Sequence, residues 1–122
     1  NRCLVGSEMC IRDSYKLPKI AGKYEAIKIG SIDTKSIITA ADYDINHKLL
    51  ALTSTIIFNE YYVLKIQDFS LENLSNSKVE MFEIPIGKTQ VEGIKIIDSN
   101  TFWITSEDEK SSSSARLMKI KL

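Results

Sequence analysis

The chain is short of most residues on which chemistry is usually built. It carries one histidine, one tryptophan, two prolines and two cysteines in 122 residues. Both cysteines, Cys3 and Cys10, fall within the first ten positions, so the rest of the sequence offers no thiol for a disulfide. With His47 as the lone imidazole, the Cys/His sets that hold transition metals are excluded. Charge of one sign is also lacking: sixteen basic residues balance sixteen acidic ones. A neutral chain has no electrostatic footprint for nucleic acid or an anionic membrane surface, and neither is expected as a partner. Long apolar runs are missing as well. Leu49–Leu52 and Tyr61–Leu64 have strand length, far below the roughly 20 residues that span a bilayer. Gly6, Ser7, Glu8, Arg12 and Asp13 break any signal-like apolar stretch at the head.

What is present is a succession of short β-rich runs separated by turn residues. Strands are expected at 24–29, 37–43, 48–54, 61–67, 78–84, 91–97, 101–107 and 115–122. Asp44-Ile45-Asn46-His47 and Asp98-Ser99-Asn100 supply turn chemistry, because Asn and Asp tolerate left-handed backbone and bond their own main chain. Met118, Ile120 and Leu122 alternate with Lys119 and Lys121, the pattern of a strand with one buried face. Helical content is confined to a single turn within 70–75, and 107–114, EDEKSSSS, reads as a solvated loop.

The runs repeat. Ile38-Thr39-Ala40-Ala41 aligns with Val91-Glu92-Gly93-Ile94, Leu52-Thr53-Ser54 with Ile104-Thr105-Ser106, and Leu64-Lys65-Ile66 with Met118-Lys119-Ile120. A unit of about 50 residues carrying up to four strands is the size of a β-propeller blade. The expected fold is therefore all-β, a partial β-propeller of about two blades of antiparallel strands. The first complete unit has four strands and the second three, so the edge at 116–122 should lack a neighbour. The alternative is a self-contained β-sandwich of about eight strands.

The head of the chain follows no such pattern. Leu4 to Ser14, LVGSEMCIRDS, resembles, codon by codon, the translation of an adapter used in sequencing libraries. Residues 1–14 are accordingly expected to be a non-native tail with no part in the sheets. Residues 15–122 are expected to be the C-terminal fragment of a propeller domain whose remaining blades are its partners.

ITAADYD followed by KLLALTS, and VEGI followed by NTFWITSE, resemble the closing blades of bacterial six-bladed propellers over residues 29–122. The resemblance is to uncharacterised extracytoplasmic propellers and, more loosely, to the SdiA-regulated and esterase-like phytase groups. It implies an extracytoplasmic location and a binding or interaction role. The alternative it implies is a calcium-dependent hydrolase of lactonase, esterase or phytase type. Gluconolactonase-like propellers place the Glu of a Glu-Gly-Pro motif on a central metal. Glu92-Gly93 matches its first two positions, and Ile94 stands where that motif has Pro.

The residues themselves single out Glu92 and Glu107. A two-residue Ser99-Asn100 turn pairs Asp98 with Thr101 and, counted outward, sets Glu92 directly opposite Glu107. Like charges so placed repel, and a Ca²⁺ ion or a shared proton would relieve them. The bland outcome is a pair of solvated rim carboxylates. One bulge would instead set Glu92 opposite Ser106. Asp42 is a candidate channel residue, Asp44 a turn cap and Trp103 an inter-blade packing residue. Gly87-Lys88-Thr89 lacks the upstream glycine and following helix of a phosphate loop.

Overall fold

The computed structural model describes residues 11–57, 60–108 and 111–122, the side chains of 108 and 111–114 excepted. The described chain is all-β. Its nine strands are β1 (Ile11–Lys16), β2 (Ile27–Asp33), β3 (Ile37–Asp44), β4 (Leu49–Thr55), β5 (Tyr61–Ile66), β6 (Val79–Ile84), β7 (Gln90–Asp98), β8 (Thr101–Asp108) and β9 (Ser111–Lys121). They form three antiparallel sheets, β1-β2, β3-β4-β5-β6 and β7-β8-β9, each strand beside its neighbour in sequence. The expected helical turn is a single 3-10 turn over Leu74–Asn76. No helix among the described residues is long and apolar enough to cross a membrane.

The middle sheet is covered on both faces, which explains why β4 and β5 read as nearly continuous apolar runs. Leu49, Ala51, Tyr61 and Val63 face β7–β9 and pack with Val91, Ile96, Phe102 and Ile104. On the opposite face Leu52, Leu64 and Ile66 join Leu74 and Ile32 of β2. The two sheets approach most closely along β3 and β7. There Asp42 Oδ2 accepts the Ile96 N–H at 2.8 Å and lies 3.4 Å from Lys95 Nζ. Asp42 thus ties two strands together. Lys65 is buried and donates to Asn100 Oδ1 at 2.8 Å, joining β5 to the β7–β8 turn.

Three expectations need correction. Residues 11–14 belong to β1 and pair with β2 from Ile11↔Asp33 to Ser14↔Gly30, so part of the adapter-like stretch is sheet; residues 1–10 lie outside the described residues. Besides the backbone ladder, Asp13 accepts from Ser31 Oγ at 2.9 Å and pairs with Lys28 Nζ at 3.0 Å. The strand expected to stop at Gly30 runs on to Asp33. A Cβ at Gly30 would come within 3.0 Å of Leu74 Cδ1, so glycine here admits the packing of Leu74 and is not a stop signal. Finally, much of the stretch expected as a loop is strand: β8 extends to Asp108 and β9 begins at Ser111, with Asp108 paired to Ser111.

Candidate functional site

The strand register decides where the two carboxylates stand. The β7–β8 turn is as expected, with Asp98 paired to Thr101 and Asp98 Oδ1 accepting the Asn100 N–H at 2.9 Å. Beyond it the ladder departs twice. A bulge at Ile97 brings Ile96 opposite Phe102, and a second at Glu92 separates Val91↔Ser106 from Gly93↔Thr105. Glu92 is therefore not opposite Glu107. It occupies a bulge, and Glu107 faces Gln90. Beside the bulge, a Cβ on Gly93 would meet Thr105 Oγ1 at 2.6 Å.

The same bulge recurs in the middle sheet. Ile38 faces Ser54 and Ala40 faces Thr53, with Thr39 between them. Across the next ladder Thr53 faces Val63 and Ala51 faces Lys65, as Thr105 faces Leu117 and Trp103 faces Lys119. Position for position, Thr39 corresponds to Glu92, Ala51 to Trp103, Thr53 to Thr105, Thr55 to Glu107 and Lys65 to Lys119. Ser54 and Ser106 also correspond, and both are buried hydroxyls without a hydrogen-bond partner. The chemistry differs at the same addresses. In the middle sheet Thr39 Oγ1 lies 2.8 Å from Thr53 Oγ1, and the Thr55 hydroxyl donates to the Glu60 carbonyl at 2.7 Å. In the terminal sheet Glu92 and Glu107 are exposed acids.

Although unpaired in register, the two acids are brought to one place. Both line an open depression of about 430 Å³ with Thr105, Arg116 and Leu117. Arg116 donates to the Ile86 carbonyl at 3.0 Å, pinning β9 to the segment after β6. The Glu92 charge is felt further in. Burial lifts the Tyr61 phenol above its ordinary range; the Val91 N–H bond to its oxygen opposes this, and Glu92 adds to it.

Calcium takes six to eight oxygen ligands. Among the described residues no three His, Cys, Asp or Glu side chains gather as a group able to hold a metal ion.

One face of β7–β9 is open. Trp103, expected between blades, is 39% exposed, whereas its counterpart Ala51 is 0% exposed beneath β7–β9. Leu117 beside it is 65% exposed. The signal was in the sequence: a tryptophan flanked in register by lysines, Lys95 and Lys119, on a strand whose alternate residues Phe102 and Ile104 already form the core. Lys119 Nζ stands 5.8 Å from the Trp103 ring centroid. His47 and Asp44 are paired in the β3–β4 turn, where Asp44 Oδ1 also accepts the Asn46 N–H at 2.9 Å, so both are turn residues.

No family description, curated protein or solved structure matches the chain.

Proposed function

We propose that this chain is part of a binding or interaction β-propeller, and that the exposed face of β7–β9 is its contact surface. The observation that carries the reading is the pair Ala51 and Trp103: one address in two sheets, sealed in one and 39% exposed in the other. Three features support stacked blades over a sandwich. The bulge and register recur in β3–β5 and β7–β9. Each sheet turns its Leu50/Leu52 or Phe102/Ile104 side to the preceding sheet. The sheets approach along their first strands, β3 and β7, as blades do around a central axis.

The test of the architecture is an experimentally determined structure. The rotation carrying β3–β5 onto β7–β9 should be about 45–90°, as rings of four to eight blades require. An angle of about 30° between face-packed sheets would establish a sandwich instead.

The interaction role is tested with calcium. The chain should show no rise in melting temperature in millimolar Ca²⁺ and no calcium-stimulated turnover of lactones, aryl esters or phytate. A calcium-dependent rise that Glu92→Gln abolishes would overturn the interaction role in favour of a metal-dependent hydrolase with Glu92 at its metal.

A further inference from the structure

The open face of β7–β9 has an order of charges that the middle sheet lacks. Its first row is Lys95, Trp103 and Lys119, aligned across three strands. Its second row is Gly93, Thr105 and Leu117. The next places Glu107 and the bulged Glu92 at the edge of the depression. Read along β8, the face runs from basic through apolar to acidic.

Such a face is complementary to itself. A two-fold axis near Thr105 would lay the Lys95–Trp103–Lys119 row of one copy on the Glu92 and Glu107 edge of another, with Leu117 and Trp103 in the middle. An isologous contact needs this reciprocity, each residue meeting a partner that it also supplies.

The charges also say what cannot cover the face. In the middle sheet the corresponding address, Thr55, is neutral and 0% exposed. An apolar sheet laid over Glu107 would strip water from an unpaired carboxylate, which is strongly unfavourable. Whatever covers this face must bring cations to Glu92 and Glu107 and acceptors to Lys119. Lys65, at the address of Lys119, finds its acceptor on the covering sheet, at Asn100. The lysine and glutamate rows of a second copy meet both needs.

We infer that the open face of β7–β9 binds a second copy of this chain, antiparallel and face to face. The inference rests on the interaction reading and names its partner.

The test is sedimentation of the whole chain over a wide concentration range, with a charge swap. A monomer–dimer equilibrium is expected that weakens as salt rises. Lys119→Glu should weaken it about tenfold or more, and Lys119→Glu with Glu107→Lys should recover most of the loss, since the swap restores opposite charges across the two-fold. Trp103 is the only tryptophan, so its emission should shift to the blue on dimerisation and lose that shift in Lys119→Glu. All these side chains are exposed, and unchanged far-ultraviolet circular dichroism verifies the fold of each variant. A monomer at every concentration overturns the inference. So does a dimer indifferent to the swap, which would point to pairing along the β9 edge. Calcium-dependent hydrolysis, by contrast, would overturn the reading beneath it.

Discussion

The β3–β4 and β7–β8 hairpins are the same object put to different uses. Both share a bulge at the same address, to which β7–β8 adds a second at Ile97, a Thr-Ser pair opposite the shared bulge, and a buried serine hydroxyl without a partner. They differ in what lies over them. The middle hairpin is covered, and its side chains at the shared addresses are small or neutral: Thr39, Ala51, Thr55. The terminal one is open, and the same addresses hold Glu92, Trp103 and Glu107. Backbone geometry is thus set by the hairpin, while side-chain chemistry is set by burial.

Exchanging residues between corresponding positions breaks the comparison most sharply. Ala51→Trp should cost more than about 3 kcal/mol, because Ala51 is 0% exposed and the site has no room for an indole. Trp103→Ala should cost about 1 kcal/mol or less, since that side chain is already partly in water. Denaturant unfolding of both variants measures the asymmetry; equal costs would mean that the two faces are equally covered. Its neighbour Phe102 is the internal reference: Phe102→Ala should cost about 3–5 kcal/mol.

The acids make a second pair. Thr55→Glu buries an unpaired charge where the Thr55 hydroxyl now bonds the Glu60 carbonyl, and should cost about 3–5 kcal/mol. Glu107→Thr should lie within about 0.5 kcal/mol of the parent, as exposed substitutions do. Thermal unfolding at neutral pH distinguishes the two.

Gly93 and Ala40 sharpen the comparison at the bulge itself. Ala40 sits where Gly93 does, and Thr53 beside it turns its hydroxyl toward Thr39. Gly93→Ala should therefore cost about 1 kcal/mol, because the new methyl must displace Thr105 Oγ1. Thr105→Ala in the same chain should remove the penalty. A Gly93→Ala cost that persists there would assign the strain to the backbone.

The smallest effect is the acid limb of stability. The His47 bond, and behind it the Asn46 N–H, hold the Asp44 carboxyl below its ordinary value. The Asn100 N–H, then the Thr101 hydroxyl, do the same for Asp98. A carboxylate depressed in the folded state contributes stability that is present above the unfolded value and lost as pH falls through the folded one. Both turns are exposed, so Asp44→Asn and Asp98→Asn should each lower the neutral plateau of a melting-temperature profile slightly and leave its acid end unchanged, which flattens the acid limb between them. A loss at the acid end as large as on the plateau would contradict the assignment.

The alternation of Phe102, Ile104 and Ser106 with Trp103, Thr105 and Glu107 made β8 legible, and Ser99-Asn100 made its turn legible, because both depend on neighbours in sequence. The bulges did not announce themselves. They are properties of the ladder between two strands, at Ile97 and at Glu92, which neither strand's own pattern contains. The register of Glu92 was lost for that reason, although the depression it shares with Glu107 lay within two residues of the expected place. The residue alone did not settle the Trp103 face: an indole on a strand looks the same whether the next layer exists or not, and it was the count of three strands in the second unit that pointed to exposure.

The pairing of β1 with β2 has a bearing on how such chains change. The ladder from Ile11 to Lys16 uses main-chain groups, while Ile11, Asp13 and Tyr15 point away from the core. Side chains add to it: Asp13 accepts from Ser31 Oγ at 2.9 Å and lies 3.0 Å from Lys28 Nζ, both on β2. An extended segment that supplies a ladder and an acid for Lys28 can be seated there at little risk to the layers behind it. Gene fusion and domain shuffling need such tolerant junctions, where a foreign stretch of reading frame acquires a conformation before it acquires a purpose.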